Sequence, residues 1–421
     1  MVSRRLRFAS TAFAGLLAVT ACTTSPGGSP GASGAAAGCQ AGAAQGGASV
    51  QIPEVEAGKF NVAMVLIGPH DDGGWSQAHY EGLLYVCDKV ANSHVAYIEN
   101  VAEGADSEQV FRSLARKGFN FIIGTSFGYM DPMEAVATEF PDITFLHLTG
   151  FKSNGKNFGN FFGAMEDFKY LAGMLAGSRA KKDGNPKIGY MATFPIPEEL
   201  RLGNAIMLGV KRTCPECTMD IRFINTWHDP VKEKDGAGSL FDTGGAQVVF
   251  TGADTGAVAD VAQEKGKWAV TYDHQASCKV DACLTAPYWI WGPEYARIAE
   301  KVKAKTYVAG YEYFDADSKA MALMGFMEGQ TPRKGVADLP EADLKLVRDT
   351  LAQMLAGTFT RFDVFAGPIK DNDGKEILAA GAKLKQSDLD QFPPGAPGAE
   401  CEVCMYWWAD GITSDLPDLT P

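Results

Sequence analysis

Apolar and polar positions along this 421-residue chain follow a repeating order: a short apolar run, a turn, then an amphipathic stretch. Residues 61–68 (NVAMVLIG), 95–99, 119–124 (FNFIIG) and 143–148 carry the apolar runs of buried strands. Residues 74–89, 108–117 and 131–140 fall between these runs and read as helices. Such alternation predicts a parallel sheet wrapped by helices.

A stretch rich in small residues, 167–180, reads as a further helix. It leads to the turn cluster Lys182-Asp183-Gly184-Asn185-Pro186, and the pattern then restarts. Residues 187–193, 220–225, 247–251 and 268–272 read as strands, and 198–211 and 257–265 as helices. A helix over 294–303 is expected to cross back to the first half. Beyond it, Phe365-Ala366-Gly367-Pro368 and Asp371-Asn372-Asp373-Gly374 suggest a hairpin. The expectation is an α/β protein of two Rossmann-like lobes joined by a hinge, with a ligand cleft between them. One lobe is expected over 58–181 plus about 284–310. The other is expected over 182–283 plus about 311–421.

The N-terminus adds a location. Arg4, Arg5 and Arg7 precede an uncharged run, residues 8–19, that is too short to span a bilayer. The run ends in Val19-Thr20-Ala21-Cys22, which resembles a bacterial lipobox. Residues 1–22 are therefore expected to be a signal peptide, with Cys22 the lipidated first residue of the mature chain. Residues 23–57, dominated by Gly, Ala, Ser and Pro up to Val50, are expected to form a flexible tether. The result would be an extracytoplasmic protein, lipid-anchored to the cell membrane, or to the outer membrane where two are present.

Composition narrows the partners. Hydrophobic residues make up 46% and charged residues 21%, as in a globular protein. The formal net charge of -13 argues against a nucleic-acid partner. Export implies an oxidising compartment, so the close pairs Cys214/Cys217, Cys278/Cys283 and Cys401/Cys404 read as local disulfides. Cys39 and Cys87 are further candidates. The weighed alternative is a zinc site built from Cys214-x-x-Cys217 and Cys401-x-x-Cys404, two pairs far apart in sequence. No metal and no cofactor are expected.

Ligands of open parallel sheets bind beyond the carboxyl ends of the strands. The loops there hold Pro69-His70-Asp71-Asp72-Gly73-Gly74-Trp75-Ser76-Gln77, Thr125-Ser126-Phe127-Gly128-Tyr129, Thr226-Trp227-His228-Asp229, Gly252-Ala253-Asp254-Thr255-Gly256 and Asp273-His274-Gln275. Aromatic faces stack on planar rings, and carboxylates accept hydrogen bonds from hydroxyl or amine groups. The combination suits a base with attached sugar, or a sugar alone. Asp72 and Asp254 equally suit helix capping, and Trp227 suits a lobe core. His70, His79, His228 and His274 lie near loops, but no nucleophile elbow accompanies them, so no enzyme is expected.

Asp72-Gly73-Gly74-Trp75-Ser76-Gln77 with Tyr80-Glu81-Gly82, Tyr170-Leu171-Ala172-Gly173, Trp227-His228-Asp229-Pro230 and residues 268–273 resemble the basic membrane protein family, also called PnrA-like. These are substrate-binding lipoproteins of ABC transporters, and the likeness runs from about Phe60 to Ile377. It implies a type I periplasmic-binding fold that closes on a purine nucleoside or nucleobase for ABC permease subunits, and a monomer is expected. Carried over residue by residue, it makes Asp72, Trp75, Asp254 and Asp273 ligand contacts, with Asp273 a ribose-hydroxyl partner. Ser76 stands where the family commonly has asparagine. Trp291 matches a branch in which the ligand is a nucleobase. Phe127, Phe161 and Trp227 are further aromatic candidates. The rival readings are a sugar or other polar-solute binder, a ligand-sensing component of a membrane receptor, and an extracytoplasmic nucleoside hydrolase.

Overall fold

The structure, a computed structural model, describes residues 41–45, 51–393 and 400–415. The expected signal peptide, with Cys22, and Cys39 lie outside these residues. The strands are β1 Gly42–Gln45, β2 Phe60–Val65, β3 Ser93–Glu99, β4 Phe121–Gly124, β5 Thr144–Leu148 and β6 Phe158–Gly163, then β7 Lys187–Ala192, β8 Thr218–Phe223, β9 Val248–Thr251, β10 Trp268–Val270, β11 Cys283–Thr285 and β12 Pro287–Trp289. β13 Tyr311–Phe314, β14 Met321–Leu323, the expected hairpin β15 Ile369–Lys370 and β16 Glu376–Leu378, and β17 Ile412–Ser414 follow. The helices used below are α1 Trp75–Lys89, α2 Ala105–Lys117, α3 Met130–Glu139, α4 Met165–Lys182, α5 Pro197–Thr213, α6 Pro230–Asp242, α7 Ala257–Lys265 and α8 Gly292–Lys303.

Two parallel sheets organise these elements, in the orders β1-β3-β2-β4-β5-β6-β13 and β11-β10-β9-β7-β8-β17. The local chemistry is consistent with this. β2 is buried at every position after Phe60, as a parallel strand covered on both faces must be. α2 carries Asp106 and Glu108 in its first turn and Arg116 and Lys117 in its last. It stops at Gly118, whose φ of 103° suits glycine.

The lobe boundaries differ from expectation in three places. β13 lies beside β6, with Tyr311 opposite Asn160, so residues 311–314 belong to the first sheet and not to the second lobe. α8 packs on α1 and leads directly into that strand. The chain therefore crosses between the lobes near 164, 290 and 315. α4 belongs with the second lobe, because it packs backbone to backbone on α5. A Cβ on Gly173 would lie 2.3 Å from the Ile206 carbonyl oxygen, and one on Gly209 would lie 2.0 Å from that of Tyr170. Only glycine permits such an approach. Finally, Gly42–Gln45, expected in the tether, pairs in parallel with β3. Small side chains do not prevent backbone pairing at an open sheet edge. Farther along, Glu54 accepts from Lys117 Nζ at 2.6 Å.

Cys214–Cys217, Cys278–Cys283 and Cys401–Cys404 are bonded within each pair, with Cα separations of 5.3, 5.4 and 5.0 Å. These bonds consume the thiolates that a zinc site would need. Cys87 is also disulfide-bonded. Among the described residues, no helix is long and apolar enough to cross a membrane.

Candidate ligand-binding site

The carboxyl ends of both sheets face a shared cavity. Ile67, Trp75, Ser126, Phe127 and Thr149 line it from the first lobe. Glu198, Glu199, Trp227, Gly252, Asp254, Tyr272 and Asp273 line it from the second.

In the first lobe, the loop after β2 is organised by Asp72. Its Oδ1 accepts from the backbone N–H of Gly74 (2.8 Å) and Gln77 (3.0 Å), and Oδ2 accepts from Ser76 (2.9 Å). These bonds hold the start of α1, so the capping role of Asp72 is real. Burial still pushes its carboxyl above the ordinary range. Trp75 donates from Nε1 to the Thr125 carbonyl at 2.7 Å, which fixes its ring against the cavity. Glu103 braces the loop after β4. It accepts from Ser126 Oγ (2.6 Å) and from the Gly128 N–H (2.8 Å). His147 donates from Nε2 to the Ser126 carbonyl and accepts at Nδ1 from Asn160 Nδ2. Burial pushes this imidazole down to about 4, so it is neutral at pH 7. Thr149 follows β5 with φ +70°, an uncommon conformation for a β-branched residue. Its buried Oγ1 has no hydrogen-bond partner.

The second lobe contributes acids. Glu199 accepts from Tyr190 Oη and from Thr193 Oγ1. Glu198 accepts from Tyr272 Oη at 3.3 Å, and burial pushes its carboxyl up to about 7. Asp254 is buried, and its Oδ2 has no hydrogen-bond partner. Burial, and then the charge of Asp72, raise its pKa well above the usual range. Asp273 sits at φ +67°, and its Oδ1 accepts from Trp289 Nε1 at 2.9 Å. Behind this wall, Lys169 donates to the Thr251 carbonyl at 2.8 Å and lies 3.5 Å from the centre of the Tyr272 ring. Burial lowers its pKa to about 8, and Asp273 is the largest opposing influence.

The lobes touch across the cleft. Trp227 Nε1 donates to Glu103 at 3.2 Å, and His274 Nε2 meets Glu81 at 3.1 Å. A Cβ on Gly74 would fall 1.8 Å from the Asp254 carbonyl oxygen, so this degree of closure depends on glycine there. The side chains of Asp72, His228 and Asp254 each bring a polar atom to within 4.8 Å of the others.

Of the residues singled out from sequence, Trp75, Phe127, Trp227, Asp254 and Asp273 are at the cavity wall, and Asp72 is beside it. Ser76, Phe161 and Trp291 are not among the lining residues. Ser76 is buried and accepts from the Gly68 N–H at 3.2 Å, closing its own loop. Phe161 packs against Phe314 at 4.9 Å. Trp291 stacks between Trp289 (4.3 Å) and His79 (4.7 Å) at the crossing between lobes. Glu198, Glu199, Thr149 and Tyr272 were missed. Thr149 and Tyr272 lie where the strand-end rule points. The two glutamates open a helix, where acids are ordinary.

Residues 59–322 match the family model described as ABC transporter substrate-binding protein PnrA-like. A purine-binding protein of Brucella abortus is 32% identical over 364 residues, 85% of this chain and 94% of that one. A Haloferax volcanii protein, provisionally named an ABC transporter glucose-binding protein, is 36% identical over 243 residues, 58% of this chain and 61% of that one. Among solved structures, an ABC transporter solute-binding protein of Aeropyrum pernix shares the fold. Its TM-score is 0.61 at 16% identity, covering 74% of this chain and 93% of that one. The chain belongs to the PnrA-like family of ABC transporter substrate-binding proteins.

Proposed function

We propose that this protein captures a purine, the free base in preference to the nucleoside, between its two lobes and delivers it to the permease of an ABC importer. One observation carries the reading. Aromatic side chains Trp75, Phe127 and Trp227 share a cavity with buried polar atoms, Thr149 Oγ1 and Asp254 Oδ2, that have no protein partner. Small-molecule sites combine apolar walls with a few placed polar groups. A flat heterocycle meets the rings by stacking, and its N–H and ring-nitrogen edges meet the polar atoms. The Brucella relative, named for purine binding, adds weight. The base is preferred because the name of the Brucella relative gives a purine and not a nucleoside.

A second reading, a sugar, has its own support. The acidic second-lobe wall suits hydroxyl groups, and the Haloferax relative carries a glucose-binding name. A thermal-shift panel of purine bases, nucleosides and monosaccharides separates the two. A purine base is expected to give the largest rise in melting temperature. A rise with glucose and none with purines defeats the purine reading. Residues 1–22 and Cys22 support lipid anchoring outside the cytoplasm. Cys22→Ala should then move the protein from the membrane fraction to the soluble one, and unchanged fractionation defeats the anchor.

A further inference from the structure

We infer that Asp72, His228 and Asp254 form a divalent-cation site that bridges the two lobes across the closed cleft. Asp72 belongs to the loop after β2, His228 to the loop after β8 and Asp254 to the loop after β9, yet their polar atoms lie within 4.8 Å of one another. Two of these residues also carry an unusual atom. His228 Nδ1 and Asp254 Oδ2 are buried and reach no hydrogen-bond partner, and Asp254 is only 4% exposed. Buried polar atoms are nearly always satisfied, so orphans on two of three clustered residues point to an absent partner.

The chemistry of that partner follows from the donors. Two carboxylates brought together in a desolvated cleft repel each other, and a cation between them removes the repulsion. One imidazole nitrogen with two carboxylate oxygens suits Zn²⁺ or a similar first-row ion better than Mg²⁺ or Ca²⁺. Three protein donors leave a coordination position for water or for a nitrogen of the ligand. The donors are also held in place. Three backbone N–H groups fix Asp72 while leaving it free lone pairs. The Asp254 N–H donates to the Trp227 carbonyl at 3.1 Å, which ties the Asp254 loop to the His228 loop. Because Asp72 and its two partners sit on opposite lobes, the cation would favour closure with no organic ligand present.

The test is calorimetric titration of the EDTA-treated, dialysed full-length protein with ZnCl₂, without purine. One zinc per chain is expected to bind and to raise the melting temperature. His228→Ala and Asp254→Asn should each weaken binding at least tenfold, while their melting temperatures in EDTA stay near that of the parent. Should a variant fail to fold, imidazole nitrogen NMR of the parent gives a readout without substitution: zinc should shift the His228 signals. Absent zinc binding, binding unchanged in both variants, or a His228 signal that does not move overturns the site. The purine panel, run in EDTA, keeps the two readings apart. Purine binding without zinc binding defeats only the cation site. Zinc binding without a purine response defeats only the purine reading.

Discussion

The first lobe meets the cavity with Ile67, Trp75, Ser126, Phe127 and Thr149, none of them ionisable near neutral pH. The second meets it with Glu198, Glu199, Asp254 and Asp273 beside Trp227 and Tyr272. Both walls come from the same βα architecture, at the same ends of parallel strands. They differ in the ionisable groups they present. Trp75 and Ser126 bond within their own lobe, to Thr125 and Glu103. Burial raises the four second-lobe acids above the ordinary carboxylate range. One fold thus supplies an uncharged wall on one side and an acidic wall on the other, with an aromatic pair on each.

The largest test removes the contact that brings the walls together. Gly74→Ala places a methyl 1.8 Å from the Asp254 carbonyl, a backbone atom that cannot yield cheaply. Ligand affinity should fall about 100-fold, about 2.8 kcal/mol, with little change in the melting temperature of the free protein. Small-angle scattering should show that ligand no longer compacts the variant. Next, Gly173→Ala drives a methyl into the Ile206 carbonyl between α4 and α5. Overpacking of this kind costs about 1–3 kcal/mol, which urea unfolding would detect. That loss should fall on the second lobe, leaving the aromatic first-lobe wall intact in tryptophan fluorescence of Trp75.

The two walls should also respond to pH in opposite directions. The Glu198 carboxyl is raised from 4.5 to about 7. Its contribution to stability is therefore present below about pH 4.5 and lost as pH rises through about 7. His147, behind the first-lobe wall, is lowered from 6.5 to about 4. Its contribution is present above about pH 6.5 and lost as pH falls through about 4. Glu198→Gln should flatten the urea-midpoint profile only between pH 4.5 and 7, and an unchanged profile there contradicts the assignment. The smallest effect belongs to the rim. His274→Ala removes a partly exposed hydrogen bond to Glu81, and such surface contacts contribute about 0–1 kcal/mol. Affinity should change by less than about fivefold.

Much of this layout was legible in the sequence because it depends on periodicity and strand ends. Alternating apolar runs marked β2, β4 and β7, and the strand-end rule led to Trp75, Phe127, Trp227, Asp254 and Asp273. The misses share a cause, which is that burial and pairing partners are non-local. Trp291 and Phe161 look like ligand aromatics in one dimension, but they fill the crossing between lobes. Glu198 and Glu199 look like ordinary first-turn acids until the fold turns them toward a cavity. Gly42–Gln45 lacks any strand signature, yet its backbone pairs with β3. β13 was assigned to the wrong lobe because an edge strand records nothing of which sheet it joins.

The central claim is that the two walls close on a flat heterocycle. Calorimetric titration of the protein with adenine, adenosine and glucose, side by side, tests it most directly. The account predicts saturable one-to-one binding of adenine, weaker binding of adenosine and none of glucose. Saturable glucose binding with no heat from adenine would contradict it.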